Sequence, residues 1–171
     1  MLDLTNDEAQ AAYDCIRGTM TVGYAKADLM SEAGENIAIE YIDWARFNVA
    51  PYQSATHGNR FVNNFANPAA GEEYGNFEVG GPMPVGSVLA KESFMVSGKG
   101  IVSPGPLFVM EKMPEGFHEE SGDWRYSMVM PNGKVGGVTN GTGSEKVEFC
   151  IQCHVVAERD SMFFMPEEFR K

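Results

Sequence analysis

The segment DWRYSMVMPNG, residues 123–133, carries a large apolar side chain at every second position and ends in a turn sequence. Successive side chains of a strand point to opposite sides of a sheet, so this alternation predicts a strand with one buried face. That face carries Trp124, Tyr126, Met128 and Met130. Asn132 and Gly133 tolerate positive φ, which is typical of a tight reversal of the chain.

Upstream segments repeat the pattern of a strand followed by a turn. Residues 85–96 precede Ser-Gly-Lys-Gly at 97–100, and residues 106–113 precede Pro-Glu-Gly at 114–116. A shorter strand is predicted over residues 60–66. Strands that follow one another through short turns pair in antiparallel fashion, so the middle of the chain predicts an antiparallel sheet.

Helices are predicted before and beside these strands. A capping box at Thr5 and Glu8 begins a helix that runs toward Ala27. Residues 67–74 predict a short helix, because Asn and Pro stand at its start. Residues 37–47 fit either a strand or a helix, since they mix β-branched and aromatic side chains.

The predicted fold class is α+β, mainly an antiparallel β-sheet with flanking helices. The closing residues 155–169 are predicted to be helical up to a break at Pro166. A content of 19 glycines and 9 prolines argues against a helical bundle. A chain of 171 residues suits one well-packed domain and is too short for two ordinary ones, so a single domain over 1–171 is predicted.

Composition argues against some classes of partner. With 13 basic and 24 acidic residues, the chain has a formal net charge of −11, which repels the phosphate backbone of nucleic acids. The same charge suits a small neutral or cationic substrate or a basic protein, or it serves solubility alone. No apolar run reaches the ~18 residues that a membrane span needs, so no span is predicted.

The segment CIQCH, residues 150–154, carries the most specific signal in the chain. C-x-x-C-H is the attachment motif of c-type haem. Two thiols one helical turn apart reach the two vinyl groups and form thioethers, and the neutral imidazole that follows binds the iron. We therefore predict one covalent haem c near the C-terminus, held by Cys150 and Cys153 and ligated by His154.

Paired cysteines also occur in redox and zinc sites. A redox C-x-x-C pair usually follows a strand near the front of a βαβ unit, whereas this pair lies near the end of the chain. A structural zinc ion needs a second pair of ligands, and only Cys15, His57 and His118 remain, without pair spacing. Cys15 is then predicted to be a buried small apolar residue, and the two histidines are predicted to lie at the surface.

The haem motif also predicts a compartment. Haem is usually attached to such a motif on the outer side of the bacterial inner membrane, so the chain is predicted to be periplasmic. Residues 1–4 lack the basic region and apolar core of a leader, so the leader is predicted not to be present in this chain.

Five stretches occur in a characteristic order: FVNNFANP at 61–68 with Tyr74, GSVLAKE at 86–92, Glu111, GDWRY at 122–126, and the haem motif with Asp160 and Phe163. In this order they resemble the cytochrome P460 family and its sister group, the β-type cytochromes c-prime. The haem motif is specific, and the other stretches gain weight from their order and spacing. The resemblance covers roughly the last two thirds of the chain. Residues 1–55, predicted to be helical in part, do not match.

The resemblance implies a role for Lys91, whose amine would be bonded to a meso carbon of the porphyrin. From the residues alone, Lys91 shares a strand face with Leu89 and Met95, where a charged amine is costly and tends to lose its proton. A neutral amine beside the ring is what such a coupling requires. The alternative is a lysine that reaches water from a sheet edge.

The resemblance also implies that Glu111 is a distal proton carrier. Glu111 shares a strand face with Leu107 and Val109, and a carboxylate removed from water can exchange protons near neutrality. The alternative is a strand-end residue in water. Three aromatic residues fit the lining of a distal pocket or, more commonly, the core: Phe61, Phe65 and Phe94.

Two functions of different classes follow from the resemblance. The first is oxidation of hydroxylamine at a five-coordinate haem iron, to nitrous oxide or nitric oxide, with electrons passing to another cytochrome. The alternative is binding of nitric oxide, as in the β-type cytochromes c-prime, which lack the cross-link. Lys91 together with Glu111 favours the enzyme. The resemblance further implies a homodimer.

Overall fold

The computed structural model describes residues 4–171, which contain four α-helices and eight β-strands. The helices are α1 Asn6–Tyr24, α2 Ile37–Glu40, α3 Pro68–Gly75 and α4 Glu148–His154. The strands are β1 Ala45–Arg46, β2 Tyr52–Ser54, β3 Arg60–Ala66, β4 Val88–Val96, β5 Val102–Pro104, β6 Leu107–Lys112, β7 Trp124–Val129 and β8 Val135–Val138. The prediction that no leader is present rests largely on residues 1–3, which lie outside the described residues.

The strands form one antiparallel sheet, which confirms the predicted α+β class. Its main order is β1-β3-β4-β6-β7-β8, with β2 also paired to β3 and β5 to β4. The register places Lys91 of β4 between Asn64 of β3 and Phe108 of β6, and it places Met128 of β7 next to Phe108. Because paired residues point to the same side, these four side chains form one row across one face of the sheet.

Each face of the sheet is covered by a different part of the chain. On one face α1 packs its buried stripe against side chains such as Phe94, Leu107 and Val109. On the other face Leu89, Trp124 and Tyr126 pack with residues of α3, α4 and the segment that follows α4. The two faces are called the α1 face and the α4 face below.

Helix α1 begins where the sequence predicted. Thr5 caps it, the Glu8 side chain accepts from the Thr5 backbone, and the helix runs past Gly18 to Tyr24. Its buried stripe includes Ala9, Tyr13, Met20 and Tyr24. Cys15 is exposed, so its predicted burial is wrong. The reason is helical geometry, because two residues after Tyr13 the chain has turned about 200° away from the sheet.

Three other segments differ from the prediction. Residues 37–47 contain both of the open alternatives, a short helix followed by the two-residue strand β1. The glycine-rich stretch after the turn at 131–133 begins as the edge strand β8. Helix α4 ends at His154 rather than continuing, because the chain after it turns to the sheet, where Asp160 contacts Lys112 and Trp124.

A search for membrane-spanning helices among the described residues finds none of sufficient length and apolarity.

Candidate functional site

A cavity of about 680 Å³ opens between the α4 face of the sheet and the chain from α4 onward. Ligand sites of prosthetic-group size fall in this range, and their walls are mostly apolar with a few polar groups. The wall combines residues of the central strands, of α4 and of the segment between β2 and β3. Its members include Leu89, Lys91, Phe108, Met110, Tyr126, Met128, Phe149, Cys150, Cys153, His154, Met162 and Phe163.

The two motif cysteines stand on α4 at the mouth of this cavity. Cys150 is half-buried and Cys153 is exposed, and both are free thiols. A spacing of three residues on a helix places both side chains on one side, as attachment to one ring requires. Burial raises the pKa of Cys150 to about 11. A redox pair works through a thiolate of lowered pKa, so this environment does not favour the redox alternative.

His154, the last residue of α4, presents its imidazole to the same cavity. Its ring lies between Tyr126 and Phe163, with ring centroids 5.4 and 5.6 Å away. Nδ1 lies 2.8 Å from the carbonyl oxygen of Ser161, to which it donates when it carries the ring proton. Burial lowers the pKa of His154 to about 4, so the ring is neutral at pH 7. A neutral imidazole with Nδ1 occupied leaves Nε2 free for a metal ion.

The backbone after α4 is held in place by Asp160. Its carboxylate accepts from Lys112 Nζ at 2.6 Å, from Trp124 Nε1 at 3.2 Å and from the Met83 backbone at 2.8 Å. The left-handed conformation of Asp160 and Ser161, with φ of 44° and 62°, directs the Ser161 carbonyl back toward His154. Asp160, one of the residues that carry the resemblance, therefore helps to position the predicted ligand His154.

Lys91 lies in the wall of the cavity, on the α4 face together with Leu89, with which the strand alternation grouped it. It stands on β4 between Asn64 and Phe108, half-buried. Burial alone lowers the pKa of Lys91 to about 8. About half of the amine is then neutral at pH 8 and about a tenth at pH 7, and the neutral amine is the nucleophilic form. The structure thus brings Lys91, Cys150, Cys153 and His154 to one cavity.

Two polar atoms of the wall have no partner among the described residues. They are the Tyr126 hydroxyl and Asn64 Oδ1, both buried. Asn64 Nδ2, in contrast, donates to Tyr52 and Tyr74 at 3.1 and 3.2 Å. Arg60 also reaches the wall and adds a cation to it. Buried polar groups are normally paired, so the unpaired atoms indicate a polar ligand in this cavity. A haem fits this lining, because it offers a flat apolar ring and two carboxylates.

Glu111 does not lie at this cavity, so the site predicted for it is corrected. It points to the α1 face, where it is buried with an exposed fraction of 1%. It forms an ion pair with Arg125 and accepts from the Glu32 backbone at 2.8 Å. The reason is the register of the sheet: Phe108, three positions before Glu111, is the partner of Lys91, so Glu111 and Lys91 point to opposite faces.

His57 was predicted to lie at the surface, and the structure places it in the cavity wall. Its side chain is half-buried against Phe108, with the ring centroids 5.2 Å apart. His118 is half-buried as well, but outside the cavity. No sequence signal marks His57, because it stands in a loop whose position depends on the pairing of β2 with β3. Phe61 and Phe94 belong to the core of the α1 face, the commoner of their two predicted places.

The fold is an antiparallel α+β domain, and its cavity is lined by a C-x-x-C-H helix and a half-buried lysine. These features place the chain in the class of c-type cytochromes whose fold is not a helical one. The family model described as Cytochrome P460 matches residues 39–165, and the chain belongs to this family. The match starts upstream of residue 55, so it takes in part of the region that the sequence resemblance left unmatched. A search of curated proteins finds no match.

Proposed function

We propose that the chain is a mono-haem c protein in which Cys150 and Cys153 form the thioethers and His154 binds the iron. The observation that supports this is their position, together with Lys91, in the wall of one cavity. His154 is held neutral, with Nδ1 beside the Ser161 carbonyl, and thus presents Nε2 as a ligand.

We propose further that the activity is oxidation of hydroxylamine, to nitrous oxide or nitric oxide. A bound haem supplies an iron that takes hydroxylamine as a ligand and accepts its electrons. Lys91 would bond to the ring through its amine, and its lowered pKa and position on β4 support this. A third attachment distorts the macrocycle, which is a recognised way for a protein to tune haem reactivity.

Oxidation of hydroxylamine releases protons and electrons in equal number, so the reaction needs an acceptor for each. The electrons pass to an accepting cytochrome in the periplasm. Glu111 cannot take the protons directly, because it faces away from the cavity and is paired with Arg125. Solvent beside the exposed Phe149 and Phe163, which line the cavity, would take the protons instead. The homodimer implied by the resemblance stays a prediction, which light scattering of the purified protein tests.

A specific observation favours the second candidate, a nitric-oxide-binding protein without turnover. With Glu111 on the other face, the wall between Lys91 and His154 is mostly apolar, and an apolar site suits a diatomic ligand better than a proton-releasing reaction. Lys91 is then the one feature that distinguishes the two functions. Its bond to the haem decides between them.

The test compares Lys91→Leu with wild type and with Lys99→Leu, in which an exposed turn lysine is changed. In wild type and in Lys99→Leu, proteolysis and mass spectrometry should find the Lys91 peptide joined through haem to the peptide of Cys150 and Cys153. Lys91→Leu should give an ordinary haem c spectrum and lose hydroxylamine turnover.

Separate peptides in the wild type would remove the cross-link and favour nitric oxide binding. Full turnover by Lys91→Leu would show that a cross-link, where it forms, does not support the chemistry.

A further inference from the structure

A second imidazole reaches the cavity from a part of the chain remote from the haem motif. His57 lies in the segment between β2 and β3, and its ring packs against Phe108 of β6, the strand neighbour of Lys91. His154 comes from α4 and packs against Tyr126 of β7. The two histidines therefore line one cavity from different walls.

The orientation of His57 is set by its loop. Nδ1 lies 2.9 Å from Ser54 Oγ and 3.2 Å from Thr56 Oγ1, so local hydroxyl groups occupy this nitrogen. The loop turns sharply after His57, with left-handed backbone at Gly58 and Asn59. With Nδ1 engaged on the loop side, Nε2 is the nitrogen left for the cavity.

The surroundings keep His57 uncharged. Burial first, and then repulsion between a protonated His57 and the neighbouring Lys91, lower the pKa of His57 far below its ordinary value. A neutral imidazole accepts or donates one hydrogen bond at Nε2 and adds no positive charge beside Lys91. Such a group suits contact with a small polar ligand in a largely apolar space.

In a haem held in this cavity, His154 would bind the iron, and the wall residues elsewhere in the cavity would face a small ligand that the iron takes up. Glu111, the group predicted for the distal side, points to the opposite face of the sheet. Of the two histidines in the cavity wall, His57 is the one that is not part of the haem motif.

We propose that His57 is the residue that contacts the exogenous ligand: its Nε2 forms a hydrogen bond with a small nitrogen or oxygen ligand held at the iron opposite His154. This role rests on the proposed binding of haem but not on hydroxylamine turnover. His57 then positions the ligand and discriminates polar from apolar ones, whether the protein is an enzyme or a binding protein.

The experiment uses the haem-loaded protein and carbon monoxide as the probe of the ferrous iron. The C–O stretching frequency, read by infrared spectroscopy, falls when a hydrogen-bond donor contacts the bound ligand, and His57 is such a donor when Nδ1 accepts from Ser54 and Nε2 carries the ring proton. His57→Phe should raise this frequency, because phenylalanine keeps an aromatic ring against Phe108 but removes the hydrogen bond. Ser54→Ala, which leaves Nδ1 with Thr56 alone, should raise it less. The matched control is His118→Phe, which should leave the frequency at the wild-type value.

Ligand release gives a second readout. Loss of one hydrogen bond of ordinary strength corresponds to roughly a twofold to tenfold faster dissociation of hydroxylamine from the ferric iron in His57→Phe. If His57→Phe does not accumulate with haem, His57→Gln replaces it. Because glutamine keeps a hydrogen-bonding group, the C–O frequency and the dissociation rate should rise above the wild-type values by less than is expected for His57→Phe.

An unchanged C–O frequency in His57→Phe and His57→Gln would overturn the proposal. It would also be overturned by a low-spin six-coordinate resting spectrum that becomes high-spin in His57→Phe, because His57 would then be an iron ligand itself. A protein without covalent haem would refute the proposed function instead. A shift in frequency without hydroxylamine turnover would leave the role of His57 standing and favour the binding protein.

Discussion

Both faces of the sheet carry ionisable side chains in apolar surroundings, but these side chains differ in their hydrogen-bond and charge partners. On the α1 face, Glu92 and Glu111 are buried and fully supplied with partners: Glu92 accepts from Tyr41 and Asn63 at 3.0 and 2.9 Å, and Glu111 pairs with Arg125. On the α4 face, the pKa of Lys91 responds to burial alone, and the Tyr126 hydroxyl has no partner among the described residues.

A buried polar group that is satisfied within the chain stabilises or specifies the fold, whereas one left without a partner in the wall of a cavity points to a ligand. The cavity is the decisive part, because Arg125 Nε on the α1 face also lacks a partner among the described residues but lies outside the cavity. Glu111 and Lys91 look alike in the sequence, each in an apolar row of a strand. In the folded chain Glu111 pairs with Arg125, whereas Lys91 lies in the cavity wall. We therefore infer a structural role for Glu111 and a functional role for Lys91.

The largest expected effect is the loss of covalent haem when the two cysteines of α4 are replaced. Replacing Cys150 and Cys153 together by alanine should abolish covalent haem, because no other thiol lines the cavity. Haem staining after a denaturing gel, with acidified-acetone extraction, measures the attached fraction. Cys15→Ala is the matched control and should keep full staining, since Cys15 is exposed on α1. Haem that remains attached in the double variant would contradict the assignment.

On the α1 face, Glu111→Gln should destabilise the fold and leave haem attachment unchanged. It leaves Arg125 without its charge partner, at a cost of about 3 kcal/mol, near the low end for a buried pair because Arg125 keeps some contact with water. Urea denaturation measures this loss. Glu78→Gln, which breaks the ion pair of a mostly exposed carboxylate with Arg170, should cost less than about 1 kcal/mol.

The same variant tests the original role of Glu111. Its visible spectrum and hydroxylamine turnover per folded molecule should match the wild type. A large loss of turnover with unchanged stability would mean that Glu111 acts in catalysis despite its position.

A matched pair of tyrosine variants compares the faces directly. Tyr41→Phe removes a hydroxyl that donates to Glu92 and should cost about 1.5 to 3 kcal/mol, the range for a hydrogen bond to a charged group. Tyr126→Phe removes a hydroxyl that has no partner among the described residues and should change the stability of the haem-free protein by less than about 0.5 kcal/mol. Thermal or urea unfolding of the haem-free protein measures both variants. Equal losses would show that the Tyr126 hydroxyl has a partner within the folded chain and is not left for a ligand.

The effect confined to one range of pH is the contribution of Glu92 to stability. Burial raises the pKa of Glu92 in the folded state above its ordinary value of 4.5. The folded chain therefore holds this proton more tightly, so the stability it contributes is present below pH 4.5 and is lost as pH rises toward the folded pKa. The loss amounts to at most about 1.4 kcal/mol per pH unit. Glu92→Gln should lack this slope in urea unfolding, and parallel curves for variant and wild type would refute the assignment.

Local patterns in the sequence predicted much of the fold. Alternation over residues 85–96 and 123–130 predicted strands that form as β4 and β7, and the capping box at Thr5 predicted the start of α1. These signals are reliable because each depends on neighbours within a turn or two along the chain. The helix expected after His154 does not form, because the contacts of Asp160 are made with remote strands.

The candidate site could be predicted only in part, for a related reason. The C-x-x-C-H motif places two thiols and an imidazole on one short helix without help from the rest of the chain. Alternation also separates the faces of each strand: it groups Glu111 with Val109 and Lys91 with Leu89. It does not say which face of one strand joins which face of the next, because that depends on register, and both faces here are apolar.

Register is set when strands from distant parts of the sequence pair and bury their side chains together. The pairing of Lys91 with Phe108 turns Glu111 toward α1, and the pairing of β2 with β3 brings His57 to the cavity. The amino-acid sequence thus specifies the strands, the haem motif and the family through local chemistry. Only the packing of the whole sheet decides which charged residues keep partners within the protein and which are left for a ligand.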